Sequence, residues 1–314
     1  EVSKSSATVA VTTTIDNESD GEKAATVHTH IVSPTGAVLE TASTAIEMPA
    51  AESAVVSETL AVDDPQLWSP DTPNLYRIRT EVVVDDEVVD TATTSFGIRS
   101  LAFSAEEGFL LNGEPTLLRG GCVHHDNGVM GAEATARSEE RKVEVLKASG
   151  FNAIRCAHNP PSPAFLDACD RLGMLVMDEA FDCWREGKNP YDYHVAFDDW
   201  WQRDLDSMVL RDRNHPSVII WSIGNEIKER DGRSSGAEVA QMLAERVRTL
   251  DPTRPVTAAI CGIGEDRPWE LTDGVFAALD IGGYNYQEKH YRSDHERHPD
   301  RIMCGLESTA GEAL

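Results

Sequence analysis

From about residue 115 onward the chain alternates strand-like and helix-like segments in series, and this alternation restricts the fold more than any other feature. Thr116-Leu-Leu-Arg-Gly-Gly-Cys122 reads as a strand. Ser138 predicts a helix cap, with Glu139 and Glu140 in the first turn, where acids complement the helix dipole; Gly150 ends that helix. Asn152-Ala-Ile-Arg-Cys156 is a second strand. Ser162-Pro163 opens the next helix, proline sitting at its permitted first position, and Gly173 stops it. Met174 to Asp178 form a third strand, a long helix runs from Phe197 to Asp212, and Val218-Ile-Ile-Trp-Ser-Ile223 is a fourth strand. A helix over 235–249, strands over 255–260 and 279–284, a helix over 289–298 and a strand over 302–306 complete the series.

About seven such units in series require a parallel sheet with helices outside it. No dinucleotide-type glycine loop is present, so a (β/α)8 TIM barrel is expected rather than a doubly wound sheet. Only seven strands precede Leu314, so the barrel is expected to be truncated, its eighth βα unit missing. An open parallel barrel would otherwise leave an unpaired edge. Residues 1–100 have a different texture, rich in Val, Thr and Ala in short alternating runs such as 7–15, 26–32 and 77–84. Turn signals at Asp16-Asn17, Pro34-Thr-Gly36 and Asp85-Asp86 separate them, which predicts an antiparallel β-sandwich. The region 50–63 fits a strand pair or a loop equally well. The expected organisation is therefore multidomain, a sandwich over 1–103 followed by a barrel over 104–314.

Composition removes several function classes. The formal net charge is −26, which repels nucleic acid phosphates and anionic membranes. No stretch approaches the roughly 20 apolar residues of a membrane span. The acid-rich, lysine-poor balance fits either adaptation to high salt or ordinary acidity in an Arg- and Ala-rich sequence. The six cysteines form no CxxC pair and no zinc spacing, so they are expected to be free thiols, mostly buried. The free thiols favour the cytoplasm.

In a barrel of this kind the active site lies at the C-terminal strand ends. Those ends deliver His124, His125 and Asp126; Arg155, His158 and Asn159; Asp178 and Glu179; Asn225 and Glu226; Asn285 and Tyr286; and Glu307. No Ser nucleophile elbow and no phosphate loop accompany them. Strands four and seven face each other roughly across a barrel, which would oppose Glu226 and Glu307. Two opposed carboxylates suit acetal hydrolysis, one protonating the leaving oxygen while the other attacks the anomeric carbon, at about 5–5.5 Å separation for retention of configuration. The acid must hold its proton and the nucleophile must stay ionised; Arg155 could ensure the latter by charge, and Tyr286 could add a hydrogen bond. Bland alternatives apply to each residue, since a strand-end Glu is often only a solvated acid. Adjacent His124 and His125 would point to opposite faces, which disfavours a shared metal. Trp184 is the better candidate for a sugar platform. Trp221 and the pair Trp200-Trp201 are expected to pack, and Asp198-Asp199 to start a helix.

These segments together resemble glycoside hydrolase family 2, which contains β-galactosidases, β-glucuronidases and β-mannosidases. Leu67-Trp-Ser-Pro-Asp-Thr-Pro-Asn-Leu-Tyr76 and Phe96-Gly-Ile-Arg99 resemble the end of that family's immunoglobulin-like sandwich. Asn112-Gly-Glu-Pro115 and Arg119-Gly-Gly-Cys-Val-His-His-Asp126 resemble entry into its barrel, and Asn152-Ala-Ile-Arg-Cys-Ala-His-Asn-Pro160 its signature after strand two. Asp178-Glu179, Gly224-Asn-Glu226 and Gly305-Leu-Glu-Ser308 follow in the family's order. The resemblance implies Glu226 as acid/base, Glu307 as nucleophile, and Asn225 on the sugar 2-hydroxyl. It also implies that His125 or His124 and His158 hold sugar hydroxyls, and that Arg155 and Tyr286 orient Glu307. The expected substrate is a β-glycoside or oligosaccharide, β-galactosides first and β-glucuronides or β-mannosides next. No cofactor is required, although some members use magnesium or sodium near the site. A homo-oligomer is compatible with this picture. Full-length members carry an N-terminal jelly roll that is not expected in this sequence. The missing strand eight makes a catalytically incomplete piece a competing reading, against which both carboxylates are retained, whereas a sugar-binding sandwich alone leaves residues 115–314 unexplained.

Overall fold

The computed structural model describes residues 2–264 and 266–308, arranged as two compact units. The first comprises residues 1–100 with 214–216, and the second 101–213 with 217–314.

The first unit is a sandwich of two antiparallel sheets. Strands β1 (Ser6–Asp16) and β4 (Ser53–Asp63) pair in one sheet. β2 (Lys23–Val32), β3 (Val38–Met48), β5 (Tyr76–Val84) and β6 (Glu87–Phe96) form the other in the order β3-β2-β5-β6. Alternation decides which face each strand buries. Val27, Thr29 and Ile31 of β2 point inward while His28 and His30 lie on the other face, bonded to Ser43 and Thr41 of β3. Ala7, Leu60 and Val62 of one sheet meet Ile31, Tyr76 and Ile78 of the other in the core. The ambiguous region 50–63 is resolved as β4, a single strand whose register with β1 is unbroken.

The second unit opens with a small meander of β7 (Leu101–Ser104), β8 (Gly108–Leu111) and β9 (Glu114–Pro115). Seven parallel strands follow in sequential order: β10 (Gly120–Val123), β11 (Ala153–Cys156), β12 (Leu175–Glu179), β13 (Val218–Asn225), β14 (Val256–Ile260), β15 (Ile281–Asn285) and β16 (Ile302–Glu307). The principal helices between them are α1 (Ala136–Ala148), α2 (Pro163–Leu172), α3 (Phe197–Asp212) and α4 (Gly236–Leu250), followed by the short α5 (Asp273–Phe276) and α6 (Tyr291–Arg297). Five strand steps of about 4.8 Å would hold β11 and β16 about 24 Å apart in a flat sheet. Yet Arg155 of β11 reaches Glu307 of β16 at 2.6 Å, so the sheet is curled into a barrel wall. The Cys122 thiol of β10 likewise lies 3.6 Å from the Leu306 carbonyl of β16. This is the expected TIM-barrel architecture, with seven strands among the described residues.

Local chemistry explains the boundaries. Ser162 caps α2, Pro163 starts it, and Gly173 ends it at φ 74° in the left-handed region that glycine favours. The predicted start of α1 needs correction. Thr135, not Ser138, is the cap; Ser138 is the third helical residue and completes a reciprocal capping box with Thr135. Asp198 and Asp199 occupy the first turn of α3 as expected. Trp221 is buried, its indole N–H donating to Asp251, and Trp201 packs on the core, but Trp200 stands on the surface with the Arg203 guanidinium over its ring. All six cysteines are free; Cys156, Cys169 and Cys183 are buried, while Cys122, Cys261 and Cys304 are half-buried. Among the described residues no helix is long and apolar enough to cross a membrane.

Strand parity sorts the polar residues of the barrel. Arg155, Glu179 and Ser222 face the interior, whereas Cys156, Asp178 and Trp221 face the helices. Asp178 therefore leaves the strand-end mouth to which the sequence assigned it. It is fully buried beside Asp212 of α3, whose two carboxylate oxygens accept from Arg211 at 2.7 Å each. Burial first, and then the Asp212 charge, push the Asp178 carboxyl well above the usual carboxylate range. The folded state thus binds a proton more tightly than the unfolded chain does, and stability falls as pH rises above about 4. Asp178→Asn should remove this penalty. Its melting temperature should exceed the parent's at pH 8, with the gain shrinking toward pH 4, in a thermal-melt series; a gain independent of pH would contradict the assignment.

Candidate active site

Arg155 is the centre of the interior network. Its side chain is 5% exposed and spends its donors on three elements. Nε and Nη2 grip Glu179 of β12 at 2.9 Å each, Nη1 reaches Glu307 Oε1 at 2.6 Å, and Nη2 also donates to Asn225 Oδ1 at 2.8 Å. Burial opposes the guanidinium's charge, but Glu179 and Glu307 overcome it and hold Arg155 above its ordinary range. Glu179 is fully buried and is completed by Ser222 Oγ at 2.6 Å and His158 Nδ1 at 2.8 Å.

Glu307 at the end of β16 takes two donors. Arg155 holds Oε1, and the Tyr286 hydroxyl donates to Oε2 at 2.6 Å. Burial would raise its pKa, but the hydrogen bonds from Tyr286 and Arg155 and the arginine charge prevail, so the carboxyl is held below its usual range. The same bond, with burial, pushes Tyr286 up to about 12. His158 Nε2 lies 3.9 Å from Glu307 Oε1.

Glu226 follows β13. Its Oε1 accepts from Asn285 Nδ2 at 3.2 Å, and the same amide group lies 3.3 Å from Asn225 Oδ1. The two strand-end residues Glu226 and Tyr286 both adopt positive φ, 44° and 57°, a region that costs a non-glycine residue about 1–3 kcal/mol. Backbone bonds hold each there: Glu226 N–H to Ala259 at 2.8 Å, and Tyr286 N–H to the Glu307 carbonyl at 2.7 Å. A cavity of about 590 Å³ is lined by Cys122, His124, Arg155, Tyr286 and Glu307, among others; Glu226 lies outside that lining and joins the group through Asn285 and Asn225.

The structure gathers Arg155, His158, Asn225, Glu226, Tyr286 and Glu307 into one bonded group, with His124 edge-on to His158 at a ring separation of 5.0 Å. His125 and Asn159 meet instead through the imidazole Nε2 and the Asn159 carbonyl at 3.4 Å, and Asp126 accepts from the Gly128 N–H in its own turn. Trp184 needs correction as a sugar platform. It is fully buried in the core, and its indole N–H donates to the Ile223 carbonyl at 2.7 Å, so it presents no face. Asp182 and Ser222 were not anticipated. Asp182 Oδ1 accepts from Asn225 Nδ2 at 2.9 Å and Lys188 Nζ at 2.6 Å, and Lys188 keeps its carboxyl low against the effect of burial. Asp182 sits in a loop beyond β12, where no periodicity points; Ser222 could have been found from the same parity that turns Glu179 inward. Among the described residues no group of three or more His, Cys, Asp or Glu side chains is arranged to hold a metal ion.

Comparison with known proteins agrees with this geometry. Residues 104–270 match the model of the glycosyl hydrolases family 2 TIM barrel domain, and residues 1–99 match glycosyl hydrolases family 2. The chain belongs to glycoside hydrolase family 2. It is 39% identical to β-galactosidase BoGH2A of Bacteroides ovatus over 98% of its own length and 39% of the relative's. It is 43% identical to a putative β-glucuronidase of Formosa agariphila, over 71% of this chain and 21% of that one. A solved family 2 structure from Bacteroides cellulosilyticus superposes with a TM-score of 0.93 at 48% identity, covering 99% of this chain and 39% of that one. The chain thus spans about two fifths of the length of the two Bacteroides proteins.

Two outcomes follow from the network. Arg155→Met leaves Glu179 buried without its cation and should cost about 3–5 kcal/mol in denaturant unfolding; a loss under 1 kcal/mol would contradict the buried pairing. Tyr286→Phe removes a bond to the ionised carboxylate and should raise the Glu307 pKa in a carbon-13 NMR titration, where an unchanged value would show that Tyr286 does not stabilise it.

Proposed function

We propose that this chain carries the catalytic centre of a retaining β-glycosidase, with Glu307 as nucleophile and Glu226 as general acid/base. The observation that carries this reading is the unequal treatment of the two carboxyl groups. Glu307 is held ionised by Arg155 and Tyr286, whereas Glu226 meets only the neutral amide of Asn285 among the hydrogen bonds of its side chain in the described residues. Glu307 attacks the anomeric carbon as Glu226 delivers its proton to the departing glycosidic oxygen. Glu226 then takes a proton from water, which attacks the same carbon and releases Glu307. Asn225, fixed by Arg155 and Asp182, presents its amide to the sugar 2-hydroxyl, and His124, His125 and His158 serve the remaining hydroxyls. The domains we assign are a sandwich over 1–103 and a barrel over 104–314.

β-Galactosides are the first substrate class we assign, because a β-galactosidase aligns with almost the entire chain; β-glucuronides come second, on the relative of that name. Some family members use magnesium or sodium near the site; we assign no cofactor here, and no step is routed through a metal. The six free thiols suit a reducing cytoplasm, and a homo-oligomer is the assembly to test.

The test is hydrolysis of a nitrophenyl glycoside panel by the whole protein beside Glu226→Gln and Glu307→Gln. One β-glycoside should be cleaved with retention, and each variant should lose at least about 1,000-fold in kcat. Inversion, or full activity in either variant, would overturn the corresponding role.

A further inference from the structure

A second cavity, of about 330 Å³, is lined by Glu186, Lys228, Arg230, Asp231, Arg233, Ser234, Ile263 and Arg267. That size falls at the lower end of small-ligand sites, about 300–1,000 Å³. Half of these eight residues are cations, in a chain with only 28 Lys and Arg among 314 residues and a net charge of −26. A positive cavity on a strongly negative molecule needs a reason, because the overall field repels anions.

The cavity is built rather than accidental. Arg230 ties the two loops behind it together, donating to the carbonyls of Ile227 at 2.5 Å, Cys261 at 3.1 Å and Gly262 at 2.7 Å. Asp231 is 5% exposed and anchors Arg233 at 2.7 Å as well as Arg267. Lys228 is exposed and donates to the Gly187 carbonyl. The 15-residue helix α4 begins at Gly236, two residues after Ser234, with no side-chain cap on its N-terminus, which adds further positive potential. Two acids, Glu186 and Asp231, answer four cations in the lining.

Its position gives the cavity a role. Arg230 also donates to the Glu226 main-chain carbonyl at 3.3 Å, so the cationic wall begins beside the residue that protonates the leaving oxygen. In the glycosidase reading, the leaving portion of a substrate is placed on the Glu226 side of the site. We infer that this cavity is a subsite for an oxyanion, a sulfate or carboxylate, carried on the sugar that departs. Arginine forks suit either group, which share planar or near-planar pairs of acceptor oxygens. The inference rests on the glycosidase reading for its direction, not for the existence of the site.

The experiment compares lactose with lactose bearing a 6-sulfate on its glucose, using the whole protein and its Arg233→Gln and Lys228→Gln variants. Both residues are exposed and outside the catalytic group. The parent should show kcat/KM about three- to tenfold higher for the sulfated sugar at low salt; each variant should bring that ratio toward one while keeping its rate on lactose. No preference in the parent, or a preference that survives both substitutions, would overturn the subsite. Calorimetry with glucose 6-sulfate, glucose and inorganic sulfate separates the sources. Tighter binding of glucose 6-sulfate than of the other two supports a leaving-sugar site, whereas inorganic sulfate binding equally well would overturn it. If no glycoside is cleaved but glucose 6-sulfate binding is lost in Arg233→Gln, the glycosidase reading fails and the oxyanion site stands.

Discussion

The Arg155 guanidinium is the constraint around which the barrel interior is arranged. A buried cation is tolerated only when its charge and its donors are both answered. Here the answers come from three strands: Glu179 of β12, Asn225 of β13 and Glu307 of β16. Meeting them requires the sheet to curl, and curling brings Glu307 to the same mouth as Glu226. The architecture and the site are therefore one problem. The residue that holds the strand ends together also keeps Glu307 ionised.

The second layer of control is backbone strain. Glu226 and Tyr286 leave their strands in the left-handed region, each held by a main-chain bond to a neighbouring strand or strand end. Such conformations persist where surrounding structure overdetermines them, commonly at working sites. They turn the Glu226 and Tyr286 side chains where ordinary strand continuation would not.

Much of this was legible in the sequence, for physical reasons that also mark its limits. Serial βα periodicity gives the parallel sheet, because two alternating periods in fixed order admit few topologies. Ser162-Pro163 and Gly173 delimit α2 because cap and stop chemistry is local. The same locality misled at α1, where Thr135 and Ser138 are both competent caps and only the structure shows them acting on each other. Strand-end position found Arg155, Asn225, Glu226, Tyr286 and Glu307, but parity separates Asp178 from Glu179, and one residue of register sends Asp178 to the helix layer. Trp184 looked like a platform because it sits in a loop after a strand; loop position does not reveal burial, and it fills the core instead. Asp182 and the cationic cavity depend on loops meeting in space, which no one-dimensional pattern records.

The central claim is that Glu307, held ionised by Arg155 and Tyr286, forms a covalent bond to the sugar. The most direct measurement is trapping the whole protein with a 2-fluoro-β-glycoside carrying a good leaving group, followed by peptide mass mapping. The account predicts one sugar adduct, located on the peptide containing Glu307 and absent from Glu307→Gln. An adduct on another carboxylate would contradict it.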